Sequence, residues 1–177
     1  LYFGAICDDP EEPTRTLTRR DRFAEGDTIQ FDLDTTLDRR TAYHFQVFAA
    51  GQQLDALHYN DTSFTSDWDA AWESAVARTE TGWSVEMRIP LRVMRIPDNA
   101  KLMGFNVYRI LSRRHEEDQW RFRPNGRTGD ISRLGGGPLD EHASHQNGLD
   151  VDVYYPRLDG RELAPTSVDQ VNVPLSQ

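Results

Sequence analysis

The clearest pattern along the chain has a period of two. From Trp83 to Ile89 every odd position is apolar (Trp83, Val85, Met87, Ile89) and every even one polar (Ser84, Glu86, Arg88). Successive side chains of a strand point to opposite faces, so this run predicts a strand buried on one side, which Pro90 then ends. The same alternation runs from Thr28 to Asp34, with Ile29, Phe31 and Leu33 against Gln30, Asp32 and Asp34, and from Ala42 to Ala49, with Tyr43, Phe45 and Val47 on one face. Leu54 to Tyr59, Trp72 to Arg78, Leu102 to Ile110, Gln119 to Phe122 and Leu149 to Tyr155 read as further strands. Turn pairs such as Ala50-Gly51 and Thr81-Gly82 separate several of them. The opening run from Leu1 to Cys7 is nearly continuous in apolar residues and reads as a strand buried on both faces. Leu91 to Ile96 alone suggests a helix, of about one turn. Many short strands with short connections predict an all-β fold, an antiparallel β-sandwich or barrel.

Beyond Asp130 the texture changes. Gly135-Gly136-Gly137-Pro138 is a flexible break, and the end from Pro156 to Gln177 is polar and punctuated by proline. The organisation expected is a module over residues 1–134, followed over 135–177 by a linker, one extra strand and an extended tail.

Composition narrows the function. The chain has 177 residues, with 20 Lys and Arg against 29 Asp and Glu, for a net charge of −9. Phosphate binding needs concentrated positive charge, so a nucleic-acid partner is not expected. The Arg pairs 19–20, 39–40 and 113–114 each adjoin acids and read as salt-bridged surface. The single Cys7 excludes an internal disulfide and reads as a small core residue. No apolar run approaches the roughly 20 residues of a membrane span, and Leu1 to Cys7 lacks the form of an export signal.

The order of the segments adds a resemblance. Leu1-Tyr-Phe-Gly-Ala-Ile-Cys-Asp-Asp-Pro10, Leu17-Thr-Arg-Arg-Asp21, Asp27 to Asp34, Asp38 to Phe45, Trp68-Asp-Ala-Ala-Trp-Glu73 and Gly82 to Pro90 occur in a succession that resembles carbohydrate-binding module family 9. More closely, it is similar to the module at the amino end of bacterial DUF5916 proteins, and the likeness continues through Gly104 to Arg109 and Arg113 to Trp120. The resemblance implies a sandwich of jelly-roll type, sugar binding through aromatic residues, structural calcium, and a secreted, periplasmic or outer-membrane setting in carbohydrate catabolism. Members usually carry a leading strand before the equivalent of Leu1, so the module is expected to be short of its first strand.

A sugar site needs flat apolar rings and planar hydrogen bonders. Trp83 and Trp72 fall in strand patterns and are assigned to the core. Trp68 follows a polar, loop-like stretch and Trp120 closes a charged one, so both are candidates for stacking, with Tyr59 at a strand end. Arg109, Asn106, Arg40 and Gln46 alternate with apolar neighbours and are the candidate hydrogen bonders. The acidic groupings are Asp8-Asp9, Asp27 with Asp32 and Asp34, and Asp67 with Asp69. Asp27 and Asp34 fall where the family commonly keeps acids, which makes them the candidate calcium ligands; acids at turns also cap backbone amides.

The expected function is therefore non-catalytic binding of a polysaccharide or oligosaccharide. The rival is a structural or docking module of a larger secreted or outer-membrane protein. Catalysis has weaker support. His115-Glu116-Glu117-Asp118 gathers the residue types of a hydrolase acting on O-glycosyl bonds, yet adjacent strand residues face opposite ways. His142 and His145 lie in a polar loop pattern. A haem-binding sandwich is a further rival, with Met94, Met103, His44, His58 and Lys101 supplying ligand types at no diagnostic spacing.

Overall fold

A computed structural model describes residues 1–100 and 102–120, together with the backbone of 149–154. Among the described residues ten strands form two antiparallel sheets: β1 (Tyr2–Asp8), β2 (Thr28–Asp34), β3 (Ala42–Phe48), β4 (Gln53–Tyr59), β5 (Ser63–Thr65), β6 (Glu73–Arg78), β7 (Gly82–Arg88), β8 (Gly104–Leu111), β9 (Glu116–Gln119) and β10 (Leu149–Tyr154). The four-stranded sheet has the order β10-β1-β7-β6 and the six-stranded sheet β5-β4-β3-β2-β8-β9. The fold is an all-β sandwich, and among the described residues its only helical pieces are two three-residue 3-10 turns, Leu91–Val93 and Ser112–Arg114. The expected helix from Leu91 to Ile96 is thus a single turn, held between Pro90 and the extended Met94. No helix among the described residues is long and apolar enough to cross a membrane.

Alternation places the core between the sheets. Ile29, Phe31 and Leu33 of β2 face inward beside Phe45 and Val47 of β3 and Val107 of β8, against Phe3, Ala5 and Cys7 of β1 and Val85 and Met87 of β7. Phe3, Phe31 and Phe45 stack in sequence, with ring centroids 4.8 and 5.3 Å apart, joining the two sheets through one aromatic column. Trp83 is fully buried, and Trp72 is buried as well. Cys7 is a core residue, and burial pushes its thiol up to about 12.

Strand β1 departs from the sequence reading. It is not buried on both faces: Tyr2 is 51% and Ile6 45% exposed, while Phe3, Ala5 and Cys7 are buried. Its apolar run reflects strand propensity on an outward face as well as core on the inward one. Both edges of β1 are nonetheless paired, with β7 from Tyr2↔Arg88 to Asp8↔Gly82 and with β10 from Tyr2↔Tyr154 to Cys7↔Leu149. The strand expected within the tail is therefore a member of the sandwich and forms the edge of its four-stranded sheet.

Gly82, opposite Asp8, starts β7 where the backbone of β1 leaves no room for a side chain. A Cβ at this position would collide with the carbonyl oxygen of Cys7 and stand 2.9 Å from the amide nitrogen of Asp9. Both are backbone atoms held by strand pairing, so no side chain can swing aside. Gly82→Ala is expected to cost about 1–3 kcal/mol as an overpacked site, read as a lowered denaturant midpoint. An unchanged midpoint would show that β1 can slide away from β7 without loss.

Candidate functional site

The register lines up cross-strand rows on the inner face of the six-stranded sheet. The row nearest one end is Leu57, Tyr43, Leu33 and Phe105, from β4, β3, β2 and β8. Trp68, from the loop after β5, packs against Tyr43 (ring centroids 5.0 Å) and edge-on against Phe45 (5.8 Å). Trp120, just past β9, meets Phe105 edge-on at 4.6 Å, and its backbone N–H donates to the Val107 carbonyl at 2.9 Å. The two indoles thus flank one end of the sandwich. The strands carrying Tyr43 and Phe105 have only β2 between them, a separation of about 10 Å. Both rings are half-buried, so Trp68 is not a free rim residue but is anchored on the core.

The other candidates divide around this end. Tyr59 and Arg40 lie there, Tyr59 at the end of β4 and Arg40 exposed just before β3, its carbonyl accepting from the Asp61 N–H at 3.1 Å. Arg109 lies four residues farther along β8 than Phe105, about 13 Å away. It is 2% exposed, and Nη2 donates to the Asp8 carbonyl (3.1 Å) and the Asp9 carboxylate (3.3 Å). There it holds the end of β1 in place. Asn106, an odd number of residues from Phe105, is buried on the outer face. The six residues therefore do not form one patch: four share the tryptophan end and two do not.

Asp27 and Asp34 sit at the two ends of β2, about 23 Å apart along an extended strand, and cannot share an ion. Asp27 accepts from the Ser112 N–H at 2.9 Å and lies 3.3 Å from Arg113, and burial pushes its carboxyl up. Asp34 accepts from the backbone N–H groups of Thr36 and Arg39, each at 3.1 Å. Carboxylates committed to amides and a guanidinium do not fit calcium, which takes six to eight oxygen ligands; these are capping acids. Asp9, bound by Arg113 and Arg109, completes the same network: burial would raise its carboxyl, but Arg113 holds it below the usual range.

A second feature escaped the sequence reading. On the outer face of the six-stranded sheet, register sets Asp32 opposite both His44 and Asn106, while His58 enters from β4. His44 Nδ1 is 2.7 Å and His58 Nε2 3.3 Å from the same carboxylate oxygen, Asp32 Oδ1. Tyr108 donates its hydroxyl to the other oxygen at 2.6 Å, and Gln46 Oε1 is 3.4 Å from His44 Nε2. Phe64 of β5 stands edge-on to both imidazoles, at 5.4 and 5.0 Å. Burial alone would raise the Asp32 carboxyl, but the two imidazoles outweigh it and hold the group well below the usual carboxylate range. Of the haem candidates, Met94 is buried in the core and Met103 packs against it, while Lys101 lies outside the described residues, as do His142 and His145.

The architecture defines a class: a two-sheet antiparallel sandwich with partly exposed tryptophans at one end and a buried polar row on one face. A family model described as carbohydrate family 9 binding domain-like matches residues 1–123, and the chain belongs to that family. A second model, described as penicillin-insensitive murein endopeptidase, matches residues 80–174. Where the two overlap, the described residues include β7, β8, β9 and both 3-10 turns, and the one histidine among them, His115, is exposed. Comparison with curated proteins and with solved structures gives no significant match.

Proposed function

We propose that the chain binds a glycan at the tryptophan end of the sandwich, the sugar stacking on the exposed parts of the Trp68 and Trp120 rings. The observation that carries this reading is their shared end: two chain-distant indoles, brought over one cross-strand row and each only half-buried. Stacking on C–H-rich sugar faces needs rings that cannot turn away, and packing on Tyr43 and Phe105 supplies that rigidity. Exposed Arg40 and Tyr59 supply donors at the same end. Binding, rather than bond cleavage, is the chemistry such a surface performs.

Retention on immobilised polysaccharides, with intact murein among them, tests the proposal. Trp68→Ala and Trp120→Ala are each expected to weaken retention at least tenfold while circular dichroism keeps the β signature, and Phe64→Ala, on the opposite face, is expected to bind as the wild type does. Wild-type retention by both folded tryptophan variants refutes the stacking site. The murein endopeptidase match favours a second reading, in which murein is the polymer engaged by the chain. Release of peptides from murein would carry that reading into hydrolysis; retention without release keeps it to binding.

A further inference from the structure

The geometry points to a transition-metal site, of the zinc class, formed by Asp32, His44 and His58 on the outer face of the six-stranded sheet, separate from the tryptophan end. Two imidazoles and one carboxylate each offer a ligand atom, and these atoms lie within 4.8 Å of one another. Ligands about 2.0–2.1 Å from a tetrahedral zinc stand roughly 3.4 Å apart, so side-chain turns of about 1 Å or less bring all three onto one ion.

Two further observations distinguish this cluster from an ordinary polar patch. His58 Nε2 is buried and has no hydrogen bond: it lies 3.3 Å from Asp32 Oδ1, but not in bonding geometry. A buried imidazole nitrogen without a hydrogen bond is costly, and a cation shared with the neighbouring carboxylate would satisfy it. The cluster also has the outer partners that metal ligands require. Tyr108 fixes the second oxygen of Asp32 at 2.6 Å, and Gln46 Oε1 stands 3.4 Å from His44 Nε2, placed to accept from Nε2–H when a metal replaces the proton between Nδ1 and Asp32. The edge of Phe64 against both rings adds an apolar wall that lowers the local dielectric.

The other acidic group with close ligand atoms, Asp21, Asp55 and Asp69, does not share these features. Arg20 pairs with all three, at 3.2, 2.6 and 3.4 Å, so a guanidinium already occupies the place of a cation. Nitrogen donors also select against calcium and magnesium, which take oxygen, and in favour of zinc, cobalt, nickel or copper. The three strands that carry the ligands are consecutive neighbours, β2, β3 and β4, so the site is built on the rigid part of the sheet.

The test is calorimetric titration of the full chain with Zn2+ after chelator treatment, repeated with Co2+ as a spectroscopic probe. One equivalent is expected to bind, and cobalt is expected to show visible ligand-field bands of low coordination number. His58→Ala and His44→Ala are each expected to weaken this event at least about 100-fold, and Tyr108→Phe, which touches no metal, about 10–100-fold. Zinc is expected to raise the thermal midpoint of the wild type and leave that of His58→Ala unmoved. A wild type that binds neither ion, or binding retained in both histidine variants, overturns the assignment. Polysaccharide retention is read on the same variants, so failure of the metal site is distinguishable from failure of the sugar site.

Discussion

Asp55→Ala is expected to destabilise the fold by about 2–5 kcal/mol. Asp55 is fully buried on the inner face of β4. Its two oxygens accept from the Ala70 N–H at 2.7 Å and the Trp72 indole N–H at 3.0 Å, and pair with Arg20 at 2.6 Å. Removing the carboxylate leaves two N–H donors without an acceptor, each costing about 1–3 kcal/mol. Arg20 is half-open and retains Gln53, the Ala70 carbonyl and solvent, so it adds little. The loss is a large part of the roughly 5–15 kcal/mol that holds a domain of this kind. Asp55→Asn is expected to cost clearly less than alanine: it keeps one acceptor and the shape. It also removes a charge whose burial is already unfavourable, since desolvation pushes the carboxyl up against the hydrogen bonds that favour ionisation. Denaturant titration of the two variants checks the order. Equal losses would mean that the charge itself, rather than its acceptors, organises the loop between β5 and β6.

The second large effect is at Trp83, fully buried on β7 opposite Cys7 of β1 and Arg78 of β6. Trp83→Ala is expected to cost about 3–5 kcal/mol, the lost transfer energy plus an incompletely closed cavity. Trp83→Phe is expected to cost about 1–2 kcal/mol or less. The indole N–H is buried without a hydrogen-bond partner, so phenylalanine gives up volume but no bond, and it removes an unsatisfied donor. Differential scanning calorimetry of both variants decides: a Phe variant as unstable as the Ala variant would show that the indole N–H is bonded in solution.

The strands with strict alternation were legible nearly to their bounds. Trp83 to Ile89 became β7, and Thr28 to Asp34 is β2 unchanged. The edges were not legible. β5 is three residues of a stretch that reads as polar loop, and β9, Glu116–Gln119, is entirely charged or polar, with Gln119 the only residue it shares with the strand expected there. Edge strands carry little core and often use charge to discourage further pairing, so they leave little hydrophobic pattern. Of the candidate site, the tryptophans were legible as rings in polar surroundings, but their anchoring on Tyr43 and Phe105 was not. The Asp32, His44 and His58 cluster was illegible for a sharper reason. Each residue sits on the polar side of its own strand, and only register brings them together; a slip of one residue would turn a strand's side chains to the other face. Arg109 was misplaced because an arginine among apolar neighbours reads as outward-facing until a buried partner, Asp9, is known.

The pairing of β1 also sets the order in which the molecule can be completed. Tyr2 waits for Arg88 on one side and Tyr154 on the other, whereas β2, β3, β4 and β5 meet as successive neighbours in the chain. At roughly 5–20 residues per second of synthesis, β1 is without its second partner for on the order of ten seconds or more after it is made. The hairpins that carry the histidines and Tyr43 are complete long before that. The four-stranded sheet is assembled from the two extremes of the described chain, a high-contact-order step that is intrinsically slow, and until it is done the apolar face of Phe3, Ala5 and Cys7 is the surface of the nascent protein with most to lose.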